Sequence, residues 1–101
     1  MTKNEYLLSC LSEEASEVIK DVSKSLRFGM DSSYPGSSVQ NRDRIREELI
    51  DLIAVAEMLV EHGIIDDFQD PESLYEKEEK KEKVLKYLKI SKSLGAVQWL
   101  N

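Results

Sequence analysis

The sequence predicts an all-α fold, a bundle of three main helices that is completed by oligomerisation. Only 4 glycines and 2 prolines occur in 101 residues, so few positions interrupt regular structure. Apolar residues recur at helical spacing over long segments. A chain of this length builds one domain with a modest core, which a second copy can extend. We therefore expect a single domain over residues 1–101.

The first helix is predicted from about Asn4 to about Phe28. Thr2 followed by Glu5 has the spacing of a capping box, and Gly29 is placed to end the helix. One apolar stripe at helical period should face the core. Its members are Leu7, Leu8, Leu11, Ala15, Val18, Ile19, Val22 and Leu26.

Residues 30–40 are predicted to form a loop, because Pro35-Gly36 is a turn signal and the serines offer nothing apolar to bury. The second helix is predicted from about Asn41 to His62, with Asn41 as the candidate N-cap. Gly63 is placed to end this helix.

The second helix carries apolar residues on two sides, a pattern typical of a helix that is buried on two sides. We expect the main stripe to face the first helix and the weaker one to contact the third helix or a second subunit. The main stripe comprises Ile45, Leu49, Leu52, Ile53, Ala56, Leu59 and Val60. The weaker stripe comprises Ile50, Ala54 and Met58.

A third helix and a tail are predicted over residues 71–101. Asp70-Pro71 has the pattern of an N-cap followed by the first helical residue, and Gly95 should end the helix. The charge-dense stretch 75–83 is expected to be a solvated face with ion pairs. We expect Trp99, in the tail, to pack on the domain or on a partner subunit. The residues predicted to return to the core are Val84, Leu85, Leu88 and Ser91.

The charge and the apolar pattern exclude several classes of function. The net charge of −6 argues against a nucleic-acid binder, which needs a basic face to neutralise phosphates. No apolar run approaches the length of a membrane span, and the N-terminal residues lack an apolar signal region. Cys10 is the single cysteine, so no intramolecular disulfide can form. We expect a cytoplasmic protein that binds neither membrane nor nucleic acid.

Five acidic residues are placed at intervals that bring carboxylates together. Glu13, Glu14 and Glu17 lie in the first predicted helix, and Glu48 and Asp51 lie in the second. Residues three apart on a helix differ by only about 60° in direction. In both helices the pair three apart flanks the core-facing stripe on the same side and in the same order.

If the two stripes pack on each other, four carboxylates converge at the edge of the interface. Four like charges repel strongly, and a hard divalent cation removes that repulsion. Carboxylate oxygens are the ligands that Mg²⁺ prefers, with Mn²⁺ as a substitute. Such a site can polarise a phosphoryl group and generate a nucleophilic water. The alternative is that these acids only coat the surface of a non-enzymatic, dimeric helical interaction module.

The two acidic motifs together resemble the signature of a known superfamily. The chain carries one acidic motif, then a loop, then a second acidic motif: Glu13-Glu-Ala-Ser-Glu17 and Glu47-Glu-Leu-Ile-Asp51-Leu. This order is similar to the pattern of the all-alpha nucleotide pyrophosphohydrolases. This superfamily includes MazG, the dimeric dUTPases and phosphoribosyl-ATP pyrophosphohydrolase. The resemblance is to the MazG-like group, and it covers roughly residues 7–63. Leu26-Arg-Phe-Gly29 is among the segments similar to short members of phage type.

The resemblance implies Mg²⁺-dependent hydrolysis of nucleoside triphosphates to monophosphate and pyrophosphate, by a helical bundle that forms dimers or tetramers. Carried over by motif position, Glu14, Glu17, Glu48 and Asp51 would bind Mg²⁺. Glu13 would contact a second metal or orient water. A binding member of the family without turnover remains an alternative.

Phosphate groups need cationic partners, and several follow the first motif or precede the second. Lys20 and Lys24 lie on the side of the first helix that carries Glu17, by the same angular count. Arg42 comes shortly before the second acidic motif. Lys20, Lys24 and Arg42 are therefore the candidate phosphate-binding residues.

Overall fold

A computed structural model of the chain describes residues 1–98 and contains three helices. They are α1 (Lys3–Phe28), α2 (Asn41–Glu61) and α3 (Pro71–Ser93). Within the described residues no strand forms, apart from an isolated bridge between Ser33 and Gln40. The predicted all-α fold with three main helices is confirmed. The predicted packing of Trp99 concerns a residue outside the described range.

The chain divides into two compact units, Met1–Asp66 and Asp67–Asn101. The first unit contains α1, the loop 30–40 and α2. The second contains α3. None of the helices in residues 1–98 is long and apolar enough to cross a membrane.

The start of α1 is fixed by the predicted capping box. The Glu5 amide donates to Thr2 Oγ1 at 3.1 Å, and the Thr2 amide donates back to a Glu5 carboxylate oxygen at 3.4 Å. These two bonds satisfy backbone donors that a helix start leaves unpaired. At the other end the Gly29 amide donates to the Ser25 carbonyl at 2.8 Å. Gly29 has a φ of 98°, a value that residues other than glycine rarely adopt.

The start of α2 differs from the prediction, because Gln40 and not Asn41 is the N-cap. Asn41 is the first helical residue and is buried. Its Nδ2 donates to the Gly29 carbonyl at 2.8 Å, so its side chain is directed towards the end of α1. The Asn41 side chain forms this tertiary hydrogen bond and does not cap α2, although its local capping preference predicted that role. The Gln40 amide is instead paired with Asp43 Oδ2 at 3.1 Å.

The segment 30–40 is a loop, as predicted, and its backbone closes the first turn of α2. The Asn41 amide donates to the Ser32 carbonyl at 2.8 Å, and the Arg42 amide donates to the Met30 carbonyl at 3.0 Å. Two of the orphan amides at this helix start therefore have partners in the loop.

The two helices of the first unit pack as an antiparallel hairpin. Asn41 meets Gly29 next to the connection, and Glu14 meets α2 further along both helices. Leu59 is 0% exposed and Leu7 is also buried. The buried polar residues at this interface are Asp21, Ser25 and Asn41.

The buried face of α1 is rotated from the predicted stripe. Ile19 is 66% exposed and Leu26 is 84% exposed, although both were expected in the core. One neighbouring helix covers only one narrow seam, so the far edge of a wide apolar stripe stays uncovered. Val22 and Leu8 are exposed for the same reason.

In α2 the seam is again narrower than the predicted stripe. Leu49 and Ile53, which were expected to be buried, are exposed, and so are Ile50 and Met58 of the weaker stripe. The stripe members that are buried or partly buried are Ile45, Leu52, Ala56, Leu59 and Val60.

The third helix begins as predicted, with Asp70 as N-cap and Pro71 in the first turn. Asp70 Oδ1 accepts from the Ser73 amide at 2.8 Å. The stretch 75–83 is exposed throughout, as expected. The predicted core contribution is wrong for Val84 and Leu85, which are 53% and 55% exposed. No residue of α3 is buried, because its apolar side chains do not form a strong one-sided stripe.

We expect Leu59→Ala to lower the free energy of unfolding by about 2–5 kcal/mol, because it leaves a cavity at the most buried position of the hairpin. The matched control is Leu85→Ala, which removes the same atoms from an exposed position and should change stability by about 0.5 kcal/mol or less. Urea denaturation followed by circular dichroism measures both. Equal losses in the two variants would contradict the assignment of the core.

Candidate functional site

Three carboxylates from the two helices of the hairpin meet at one point. Glu14 comes from α1, and Glu48 and Asp51 come from α2. One oxygen atom of each lies within 4.8 Å of the others. Glu14 and Glu48 are partly buried, whereas Asp51 is exposed. We refer to Glu14, Glu48 and Asp51 as the carboxylate cluster.

Helical spacing and the antiparallel packing explain why these side chains converge. Glu14 lies seven residues after the buried Leu7, and Glu48 lies eleven residues before the buried Leu59, so both face the seam. Asp51 is about 60° round from Glu48, towards the open side of the hairpin. The cluster thus forms at the edge of the helix interface, where the sequence predicted it.

The environment of Glu48 disfavours its negative charge. Partial burial raises the pKa of the Glu48 carboxyl above its ordinary value, and the charge of Asp51 raises it further. Glu14, Asp21 and Glu17 act in the same direction with smaller effects. Five acidic groups therefore share one electrostatic environment on the seam.

The other two acids of the first motif lie nearby but outside the cluster. Glu17 is partly buried one turn after Glu14, and its charge reaches Glu48. Glu13 is exposed, so water reaches its carboxylate. The structure therefore brings together three of the four predicted metal ligands and places the fourth at the border of the group.

Sequence reasoning missed Asp21, the most buried acid of the first unit, which is 6% exposed. It lies two turns after Glu14, and its charge contributes to the raised pKa of Glu48. The interval of seven residues could have found it, since two turns bring a side chain back to nearly the same direction. Asp21 has no acidic partner three residues away, unlike Glu14 and Glu48.

The predicted phosphate-binding residues separate into two groups. Lys24 Nζ donates to the Tyr34 hydroxyl and lies 4.6 Å from the centre of the Tyr34 ring. Lys20 is close enough for its charge to act on Tyr34. Arg42 instead forms an ion pair with the exposed Asp31. Arg44, which was not among the candidates, takes the place beside Tyr34, with Cζ 5.2 Å from the ring centre.

These cations affect the phenol of Tyr34. The hydrogen bond from Lys24 lowers the pKa of the Tyr34 hydroxyl, and the positive charges of Lys24, Lys20 and Arg44 lower it further.

A cavity of about 280 Å³ opens where the loop 30–40 meets the end of α1. Its walls combine ring side chains with a few polar groups from the loop and from both helices. The lining residues are Lys24, Phe28, Ser32, Ser33, Tyr34, Pro35 and Asn41.

The carboxylate cluster has the donor chemistry that suits a hard divalent cation. Its ligand atoms are all carboxylate oxygens, and it has no histidine or cysteine. Mg²⁺ takes few protein ligands and keeps positions for water and phosphate, so three carboxylates at a solvent-facing edge fit its requirements.

Comparison of the chain with protein-family models, curated proteins and solved structures found no match to any of them.

We expect Glu48→Gln to stabilise the metal-free protein at neutral pH. A folded-state pKa above the unfolded value means that the folded protein binds more protons. The parent therefore loses stability as pH rises from the ordinary Glu value of 4.5 through the raised pKa. Glutamine has no such titration.

Urea denaturation in EDTA at pH 7.5 and below pH 4 tests this expectation. The stability gain of Glu48→Gln should be present at the higher pH and should shrink at the lower one, where the parent carboxyl is protonated in both states. A gain of equal size at both values would show that repulsion at Glu48 is not its cause.

Proposed function

We propose that the protein hydrolyses nucleoside triphosphates to monophosphate and pyrophosphate at the carboxylate cluster, with Mg²⁺ as cofactor and Mn²⁺ as a substitute. The observation that carries the proposal is the convergence of Glu14, Glu48 and Asp51, from two motifs 30 residues apart, within 4.8 Å. The same motifs carry the resemblance to the MazG-like pyrophosphohydrolases.

The electrostatics of the cluster support binding of a cation and then of an anionic substrate. Burial and the neighbouring carboxylates raise the pKa of Glu48, and a bound divalent cation relieves that repulsion. Glu14, Glu48 and Asp51 would hold Mg²⁺, with Glu17 completing the set. When bound, Mg²⁺ would neutralise phosphate charge and lower the pKa of water.

The proposed reaction adds water across the anhydride between the α and β phosphates. A bond forms between the water oxygen and the α-phosphorus. The bond from that phosphorus to the bridging oxygen breaks, and pyrophosphate leaves with the electron pair. The water proton passes to a carboxylate. Glu13 precedes Glu14 on α1 and is exposed, and it would orient this water. Lys20 would meet the negative charge of the phosphates.

We also propose that the protein self-associates through an apolar face on the other side of the hairpin. By angular count, Ile19, Val22 and Leu26 lie on the side of α1 away from Glu17, and all three are exposed. On α2, Leu49 and Ile53 face the same side and are also exposed. Contiguous exposed apolar surface on a small protein is typical of an interface. A homodimer or homotetramer would cover this face and leave the carboxylate cluster open.

We expect pyrophosphate release from ribo- or deoxynucleoside triphosphates in Mg²⁺ and none in EDTA. Glu48→Gln should lower kcat/KM by more than about 100-fold, since even changes behind a metal ligand cost about 10–100-fold. The assay is a panel of nucleotides that includes dUTP.

The matched control is Glu57→Gln, which removes an exposed carboxylate from the opposite side of α2 and should retain parental activity. Equal activity in Glu48→Gln and parent would refute the site. Absence of release from every nucleotide, with no thermal shift on adding Mg²⁺ or Mn²⁺, would instead favour a helical interaction module. A thermal shift without release would favour a binding member without turnover.

We expect Ile19→Lys to weaken self-association, because it places a charge in the centre of the apolar face. Sedimentation velocity over a range of concentrations measures the effect. The control is Tyr6→Lys, an exposed position on the other side of α1 that should leave the oligomer intact. A monomeric parent, or an Ile19→Lys variant that associates like the parent, would contradict the assigned face.

A further inference from the structure

We propose that the cavity beside Tyr34 binds the base of the nucleotide, with the phosphates extending along the hairpin to the carboxylate cluster. This inference rests on the proposed function and adds the position at which the base of the substrate binds. Four features of the hairpin support it.

The cavity and the carboxylate cluster open on the same side of the hairpin. Lys24 follows Glu17 by seven residues on α1, and Arg44 precedes Asp51 by seven on α2. Seven residues are nearly two turns, so each cation lies almost directly above its acid, about 10 Å along the helix axis. Because the helices are antiparallel, both displacements run towards the loop. Contact of Lys24 and Arg44 with the one ring of Tyr34 confirms that they face the same side.

The walls of the cavity suit a flat aromatic ring. Phe28 and Tyr34 are exposed aromatic side chains that border it together with the ring of Pro35. Stacking on aromatic side chains is the general means by which proteins bind unpaired bases. The volume of about 280 Å³ is just below the range of about 300–1,000 Å³ for sites that enclose drug-sized ligands. One ring system fits this space better than a whole nucleotide does.

Asn41 supplies a polar contact at the same place. Its Nδ2 is occupied by the Gly29 carbonyl at 2.8 Å, which fixes the orientation of the amide. Asn41 borders the cavity, and within residues 1–98 its side chain makes this one hydrogen bond, so Oδ1 can accept from a ring N–H or an exocyclic amino group.

The alternative that the cavity binds phosphate is less well supported. Anions commonly bind at a helix N-terminus through its free amides. At the start of α2 the amides of Asn41 and Arg42 already donate to the loop carbonyls of Ser32 and Met30. Lys24 donates to the Tyr34 hydroxyl and lies against its ring, so it holds the aromatic wall in place. Lys20, one turn nearer the carboxylate cluster, is better placed for phosphate.

The test compares substrates that share a triphosphate but differ in the base. Parent, Tyr34→Ala, Tyr34→Phe and Phe28→Ala are assayed with nucleoside triphosphates and with inorganic tripolyphosphate as a competitive inhibitor, in Mg²⁺. Tyr34→Ala and Phe28→Ala should raise KM for the nucleotide by about tenfold, the loss expected when a stacking ring is removed. The inhibition constant of tripolyphosphate should change by less than about twofold in either variant, since its contacts are electrostatic.

Two controls separate the ring from the fold. Tyr34→Phe keeps the ring and should keep KM within about threefold of the parent value. A variant whose loop had lost its structure would raise KM even with the ring present. Tyr6→Ala removes an exposed tyrosine near the start of α1 and should have parental constants. Equal losses for nucleotide and tripolyphosphate would assign the cavity to phosphate and overturn the proposal. Unchanged KM in both alanine variants would overturn it as well.

A second arm does not depend on turnover. Nucleoside monophosphates are titrated into the isotope-labelled protein in EDTA, and amide chemical shifts are followed. Shifts at Ser32, Ser33 and Asn41 that Tyr34→Ala abolishes would support the base site even if no nucleotide were hydrolysed. Shifts confined to other residues, or none at saturating nucleotide, would overturn it whether or not pyrophosphate is released.

Discussion

Repulsion among carboxylates on a helix seam is the constraint on which the first unit depends. Glu14, Asp21 and Glu48 face the interface between α1 and α2, where apolar side chains would stabilise the pairing better. Two buried leucines, Leu7 and Leu59, hold the hairpin at its far end, and the loop holds it at the other. Acids in the middle of such a seam cost stability unless a cation neutralises them. A fold that accepts this cost is typical of a site that is built for function.

The charged side chains and the exposed apolar side chains of the hairpin lie on different sides. Acidic and cationic side chains follow one side of the seam, and exposed apolar side chains such as Ile19 and Leu49 follow the other. The separation has a geometric origin, since two antiparallel helices in contact leave two open grooves with different residues. A ligand can therefore occupy one groove while a protein surface covers the other.

Local sequence signals predicted the helices and the carboxylate cluster well. The capping box of Thr2 and Glu5 and the N-cap Asp70 depend only on nearby residues, and both are present. The cluster was predictable because residues three apart share a direction on any helix. Failures came where tertiary contacts decide. Asn41 left its expected capping role for the Gly29 carbonyl. Ile19 could not be placed without knowing how wide a face α2 covers.

The cavity was not predictable, because its walls depend on the path of the loop. Nothing local distinguishes Arg42 from Arg44, because arginines stand at every second position from 42 to 46. The register of α2 directs Arg44 to Tyr34 and leaves Arg42 to pair with Asp31. The sequence shows cations near the acids, but it does not show which arginine lies beside Tyr34.

The hydrogen bonds between the loop and α2 limit how this segment can vary. Surface loops usually accept insertions, since their backbone is solvated. Here the carbonyls of Met30 and Ser32 must stay in register with the amides of Arg42 and Asn41. An added residue between 30 and 33 would disturb the partners of the Asn41 and Arg42 amides, whereas the backbone bond at the Pro35-Gly36 turn, from the Ser37 amide to the Tyr34 carbonyl, stays within the loop. Length variation should therefore be confined to the tip of the loop, and its base should behave as part of the helix.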